Sequence, residues 1–324
     1  MTTTPTTKTE RIDALQCVKR LAEQDDILLL CHRDPDGDAV GSASALALAL
    51  SALGKRVKID VPEKKPKNLV FLRRDYPDFE PRFIAAIDVA AEDMLGEDAQ
   101  KKYAGKIDLC IDHHPTNPCY ARETFLVNYA AAGEGVYEVL KAMNVPITPD
   151  VATALFTALS SDTGGFRFAN TTAQTHRYAA DLMEAGADTE TVRRQLFDSK
   201  SRGRIRVESD AMANARFYHD GKIVVISVTD AAMRENGVEE YELDGLPSEP
   251  LHIEGVVIAV TLKQREDGMI RVSMRSDSDE ANVAAVCARF GGGGHVRASG
   301  CRLTDTLEHA EELLVAACEE ELSR

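Results

Sequence analysis

Short apolar runs and longer helical patterns alternate along the first half of the chain. The runs are DILLLC (26–31), RVKIDV (56–61), FIAAIDVA (83–90) and KIDLCID (106–112), with AVGSASALALALSAL (39–53) between the first two. Apolar strands separated by helices predict a parallel sheet covered by helices on both faces. Segment 39–53 is Ala or Leu on nearly every side, which predicts a helix packed between the sheet and a further layer. Gly54 can end it, because glycine tolerates the left-handed C-cap. Helical periods follow at 134–143 and 150–162, and the first domain is expected to span 1–190.

Residues 191–216 are charged and helical in propensity, and read as a linker. Beyond them, KIVVISV (222–228), EGVVIAVTLKQ (254–264) and MIRVSMRS (269–276) alternate as strands of a partly exposed sheet, with helical patterns at 280–290 and 306–322. The second domain, 217–324, is expected to be smaller and α+β. The fold class is therefore α/β with an appended α+β domain.

The chain has 324 residues, 44% of them hydrophobic, enough for a core in each of two domains. Its net charge of −15 argues against a broad surface for long duplex nucleic acid, whose binding depends on phosphate neutralisation. Any anionic ligand is expected to be short and locally held. The absence of Trp and the 6% aromatic content disfavour an extended stacking platform. No apolar stretch approaches ~18 uncharged residues, and MTTTPTTKTE lacks the apolar core of a signal peptide, so a cytoplasmic protein without membrane contact is expected. Seven scattered cysteines without a CxxC pair fit reduced, buried thiols.

Ligands of open α/β sheets bind beyond the carboxyl ends of the strands. Collecting acids and imidazoles there gives His32, Asp36 and Asp38 after the first run, Asp88 after FIAAI, and Asp112, His113 and His114 after KIDLCI. Asp162 closes the helix at 150–162. Each cluster alone has a plainer explanation: a turn for Asp36 to Asp38, a helix N-cap for Asp88, core or surface histidines for His113 and His114, a helix terminus for Asp162. All would have to hold at once. Four aspartates and two histidines suit a pair of divalent metals sharing one carboxylate, with Mn²⁺ favoured over Mg²⁺, Co²⁺ or Fe²⁺. The lack of a cysteine among them argues against structural zinc.

HRDPDGD, AAID, DHH and SDTGGFR, in this order, resemble the four motifs of the DHH phosphoesterase family. FGGGGHVRASG (290–300) resembles the signature of its DHH-associated domain. Length and domain pairing are most similar to the nanoRNase branch, which acts on short oligoribonucleotides and 3′-phosphoadenosine 5′-phosphate (pAp). The resemblance implies that His32, Asp36 and Asp88 hold one metal and Asp38, Asp88, His113 and Asp162 the other, with Asp112 orienting His113. His114, adjacent to a ligand, is assigned to the leaving group as acid or hydrogen-bond donor, with packing as the alternative. Asp34 is assigned to turn geometry before Pro35.

In the second domain, Gly292, Gly293 and Gly294 could let backbone N–H groups approach an anion beside His295, although glycine runs are often only flexible loops. Arg275, near a strand end, is a candidate phosphate contact because its fork matches phosphate oxygens. Arg193, Arg194, Lys200, Arg202, Arg204 and Arg206 in the linker either line a cleft or balance nearby acids. Expected substrates are short RNA and pAp. Linear or cyclic dinucleotides such as cyclic di-AMP are the alternative, and a non-catalytic nucleotide sensor is the alternative of another class. An exonuclease on long single strands and a pyrophosphatase of the same superfamily are disfavoured, by the net charge and by the glycine signature respectively. Dimerisation is common in the family, though no feature of this sequence demonstrates it.

Overall fold

The computed structural model describes residues 9–60 and 67–323. The chain divides into two compact units, Met1–Ser199 and Lys200–Arg324. Strands of the first unit are β1 (Glu10–Arg11), β2 (Ile27–Leu30), β3 (Val57–Asp60), β4 (Phe83–Ile87), β5 (Leu109–Asp112) and β6 (Glu123–Leu126). They form one sheet in the order β1-β6-β5-β4-β2-β3, and every neighbouring pair is parallel. Helices α1 (Ala14–Glu23), α2 (Gly37–Ala52), α3 (Glu97–Tyr103), α4 (Ala132–Ala142), α5 (Pro149–Asp162), α6 (Ala173–Glu184) and α7 (Thr189–Arg193) complete the unit. Alternate strand residues feed opposite cores, as the twofold side-chain period requires. Ile27, Leu29, Ala85, Ile87, Leu109 and Ile111 join α1, α2, α4 and α5 in the larger one. Leu28, Leu30, Ile84, Ala86 and Cys110 meet Leu95, Tyr103 of α3 and Ile107 in the smaller.

Helix α2 is the expected layer-filling helix, buried along most of its length. It packs on α5 through missing side chains. A Cβ at Gly41 would stand 2.5 Å from the Ala154 carbonyl, and one at Gly37 2.7 Å from Ser161 Cβ. Small residues thus let the two backbones nearly touch, which fixes where the α2 N-terminus stands against the α5 C-terminus.

The second unit contains α8 (Arg202–Ala213), β7 (Arg216–Tyr218), β8 (Ile223–Val228), α9 (Asp230–Asn236), β9 (Ile258–Gln264), β10 (Met269–Arg275), α10 (Val283–Ala288), β11 (Gly293–His295), β12 (Ala298–Thr304) and α11 (Leu307–Leu322). Its mixed sheet has the order β11-β12-β10-β9-β8-β7, with only β8 and β9 parallel. Val260, Leu262, Ile270, Val272 and Met274 share a core with α10 and α11 residues such as Val286 and Leu314. Within the expected linker, Lys200 and Arg204 pair with Glu208, and Arg193 pairs with Asp198. No helix among the described residues is long and apolar enough to cross a membrane.

Candidate metal centre

Four chain segments deliver side chains to the carboxyl edge of the parallel sheet. His32 follows β2. Asp36 is the N-cap of α2, accepting from the backbone N–H groups of Asp38 (2.9 Å) and Ala39 (3.1 Å). Asp38, one residue inside α2, is fully buried and accepts from Ser42 Oγ (2.9 Å), Ala132 N (2.6 Å) and Gly133 N (2.9 Å). It thereby caps α4 from another helix, since the N-cap Ala131 has no side-chain oxygen of its own. Asp88 ends β4 in the left-handed region at φ 57°, a conformation disfavoured for residues with a Cβ but accessible to Asp. Its carboxylate thereby joins the cluster instead of following the strand.

His113 is the hub. Its Nδ1 lies 3.2 Å from the Tyr129 carbonyl, which only accepts, so Nδ1 is the donor and Nε2 is the atom turned to the acids. Nε2 stands 3.1 Å from Asp162 Oδ2, 3.5 Å from Asp88 Oδ1 and 3.8 Å from Asp38 Oδ2. On the other side of Asp88, His32 Nε2 is 3.9 Å from both Asp88 Oδ2 and Asp36 Oδ1. Three overlapping triads result: His32 with Asp36 and Asp88, Asp38 with His113 and Asp162, and Asp88 with His113 and His114. All six side chains expected as ligands meet here, and Asp88 is common to two of the triads.

The electrostatics show a shortage of positive charge. Burial, followed by repulsion from neighbouring aspartates, raises Asp38 and Asp88 well above the usual carboxylate range. Burial would lower His113, but the Asp162 hydrogen bond and the charges of Asp162, Asp88 and Asp38 outweigh it and raise the imidazole to about 11. Burial likewise opposes the charge on Asp36, yet His32 and the two N–H donors bring it down to about 2. Without an ion, a proton on His113 serves as the counter-charge. Asp88 Oδ1 is buried and makes no hydrogen bond among the described residues. Hard carboxylate oxygens, imidazole nitrogens and an orphaned oxygen between the triads fit divalent cations.

Asp112 departs from expectation. Its Oδ1 receives His114 Nδ1 at 2.8 Å and its Oδ2 receives Asn117 Nδ2 at 2.6 Å, so it positions His114, while the Tyr129 carbonyl takes the expected place on His113. Asn117, also bonded to Val89 O and Cys119 N, is not among the residues expected from the sequence. Its only signal there is its place just after DHH. Asp34 is 62% exposed, lies 3.9 Å from Arg33 and belongs to none of the triads, although its charge reaches His32.

In the second unit, register puts Arg275 of β10 and His295 of β11 in one row, both opposite Ala298 of β12. Arg275 Nη1 donates to the Met274 carbonyl at 2.9 Å. The glycine run is an edge strand in a hairpin. A Cβ on Gly292 would fall 2.1 Å from Gly300 O, and one on Gly294, at φ 141°, 2.6 Å from Ala298 O. Close approach to β12 thus already requires glycine at both positions. Gly293 meets nothing within 4 Å.

Residues 26–159 match the model of the DHH family N-terminal domain, and residues 220–324 that of the DHHA1 domain. The chain is 31% identical to the bifunctional oligoribonuclease and PAP phosphatase NrnA of Thermus thermophilus, over 94% of this chain and 92% of that protein. It is 26% identical to the Bacillus subtilis protein of the same name, over 89% of this chain and 92% of that one. A crystal structure of an exopolyphosphatase-related protein from Bacteroides fragilis shares the fold, with a TM-score of 0.84 and 24% identity over 96% of both chains.

Proposed function

Because this chain belongs to the DHH family, whose members are metal-dependent phosphoesterases, we propose that it hydrolyses very short oligoribonucleotides and pAp with two divalent ions, Mn²⁺ foremost. The observation that carries this reading is the convergence of His32, Asp36, Asp38, Asp88, His113 and Asp162 into two triads, His32 with Asp36 and Asp88 and Asp38 with His113 and Asp162, with Asp88 Oδ1 3.5 Å from His113 Nε2 between them. His32, Asp36 and Asp88 would hold one ion and Asp38, Asp88, His113 and Asp162 the other. Such a pair supplies an acidified water and clamps a phosphoryl oxygen for in-line displacement.

The chain's own residues do the rest. The Tyr129 carbonyl fixes the His113 ring so that Nε2 points at the acids, and the α4 amides orient Asp38. Asp112, held low because its bonds and charge contacts to His114 outweigh burial, keeps His114 Nδ1–H engaged. With Nδ1–H engaged, Nε2 is the ring atom left for the leaving oxygen, and it would donate a proton there from the doubly protonated ring. Asn117 locks the second oxygen of Asp112, so the imidazole is oriented by a buried pair instead of a mobile carboxylate. Arg275 and His295 would receive a substrate phosphate on the second unit's sheet.

A time course with pAp, pApA, a five-nucleotide RNA, a long oligomer and cyclic di-AMP, in Mn²⁺ and in EDTA, tests the reading. Turnover of pAp and the short linear RNAs that stops in EDTA is expected. Preferential cleavage of cyclic di-AMP would move the substrate class, and inertness toward every substrate in Mn²⁺ would remove the activity.

A further inference from the structure

Arg275, Ser273 and Arg271 alternate along β10 with the core residues Met274, Val272 and Ile270, and so share the face turned away from α10 and α11. On β12 they stand opposite Ala298, Gly300 and Arg302, and on β11 His295 and Gly293 extend the first two rows. This face therefore carries cationic or donor side chains at both ends and small ones between. Arg271 lies four residues from Arg275, about 13 Å along the strand.

The far row is short of negative charge. Arg271 stands between Lys263 on β9 and Arg302 on β12 in direct register. Like charges in directly opposed cross-strand positions repel. Lys263 is buried, with Nζ 3.3 Å from the Leu243 carbonyl, and Asp244 and Glu240 are the acids acting on it. Glu240 pairs with Arg271 at 3.0 Å and is also 4.0 Å from Arg265. Arg302 is exposed and enters no hydrogen bond or ion pair among the described residues. Four cations, Lys263, Arg265, Arg271 and Arg302, thus face two acids, and the outermost, Arg302, points to solvent beside a floor made bare by Gly300, where a Cβ would stand 2.8 Å from Val272 O.

We propose that Arg302, with Arg271 beside it, forms a second anion subsite that binds a phosphate of an oligonucleotide beyond the one received at Arg275 and His295. The inference rests on the oligonucleotide reading above and adds to it a preference for chain length. The nucleotides between the two phosphates would pass over Ser273, Gly300 and Gly293, whose side chains are small or absent. A fork-shaped guanidinium is the group suited to a phosphodiester there.

The test compares the full-length wild type with Arg302→Ala, Arg302→Glu and Arg302→Lys, using pAp and a five-nucleotide RNA. In Arg302→Ala the ratio of KM for the five-mer to KM for pAp should rise about 5- to 10-fold, more in Arg302→Glu, with partial rescue in Arg302→Lys. The slope of log KM against log[NaCl] for the five-mer should shrink by about 0.7 more than that for pAp, because one phosphate of the single strand is no longer neutralised. Equal changes for both ligands, or an unchanged salt slope, would overturn the subsite. Fluorescence anisotropy of the labelled five-mer in EDTA separates the two readings. Tight binding by the wild type that Arg302→Glu abolishes supports the subsite even if the wild type hydrolyses nothing, whereas identical binding by wild type and Arg302→Glu refutes it.

Discussion

Replacing Asp88 by Asn should make the metal-free protein more stable while abolishing its turnover. Asp88 is 2% exposed, sits among Asp36, Asp38 and Asp162, and has one oxygen without a hydrogen bond. Asparagine has the same shape, tolerates the left-handed backbone at φ 57° and carries no charge. Its amide can also donate to the neighbouring carboxylates. An unsatisfied buried polar atom costs about 1–3 kcal/mol. A unit of this size shifts by about 2–4 °C per kcal/mol, so a rise of roughly 5 °C is the central expectation in EDTA. The sign follows from linkage. The folded-state pKa of Asp88 is raised above the unfolded value, so its penalty is absent below that unfolded value, about pH 4, and grows as pH increases. The advantage of Asp88→Asn should therefore vanish near pH 4 and be widest at neutral pH and above. Mn²⁺ should reverse the order, stabilising the wild type by mass action and the variant far less. Thermal melts of both proteins, with EDTA or Mn²⁺ at pH 4.5 and 7.5, read all four corners. A variant less stable than wild type in EDTA at pH 7.5, or equally stabilised by Mn²⁺, would refute the assignment of Asp88 as the shared metal-holding carboxylate.

Two further outcomes follow from the same geometry. Asp112→Asn, which weakens the hold on His114 Nδ1, should lower kcat by about 10- to 100-fold with Mn²⁺ affinity little changed; a matching loss of Mn²⁺ affinity would instead place Asp112 behind His113. Because His113 is raised to about 11 in the metal-free site, ion binding must expel its proton, so calorimetry in buffers of different ionisation enthalpy should register close to one or more protons released per protein at pH 7.5. No release would mean that His113 Nε2 does not meet the ion.

The strand-end acids were legible because apolar runs stop abruptly at charged residues, and the parallel sheet aligns those stops on one edge. Helix α2 was legible from its all-round small and apolar composition. The two-residue β1 and the short β6 were not, since ETFL carries too little periodicity to stand apart from a loop. The backbone partners of His113 and Asp38, at Tyr129, Ala132 and Gly133, were not legible, because their positions depend on the path of the chain into α4 and not on residue type. The family resemblance implied that Asp112 serves His113. The chain leaves β5 at Asp112, and in the turn that follows it is His114 whose Nδ1 comes within 2.8 Å of the Asp112 carboxylate.

The contact between α2 and α5 has a consequence for how this protein can drift in sequence. Asp38 and Asp162 ride on rods whose separation is set by main chain against main chain at Gly41 and Ala154, so the gap between them acts as a caliper with no adjustable jaw. Ordinary core exchanges, which trade one side chain's volume for another's, have nothing to trade at that point. Even a single added methyl would be felt as a displaced carboxylate before it registered as a weakened core.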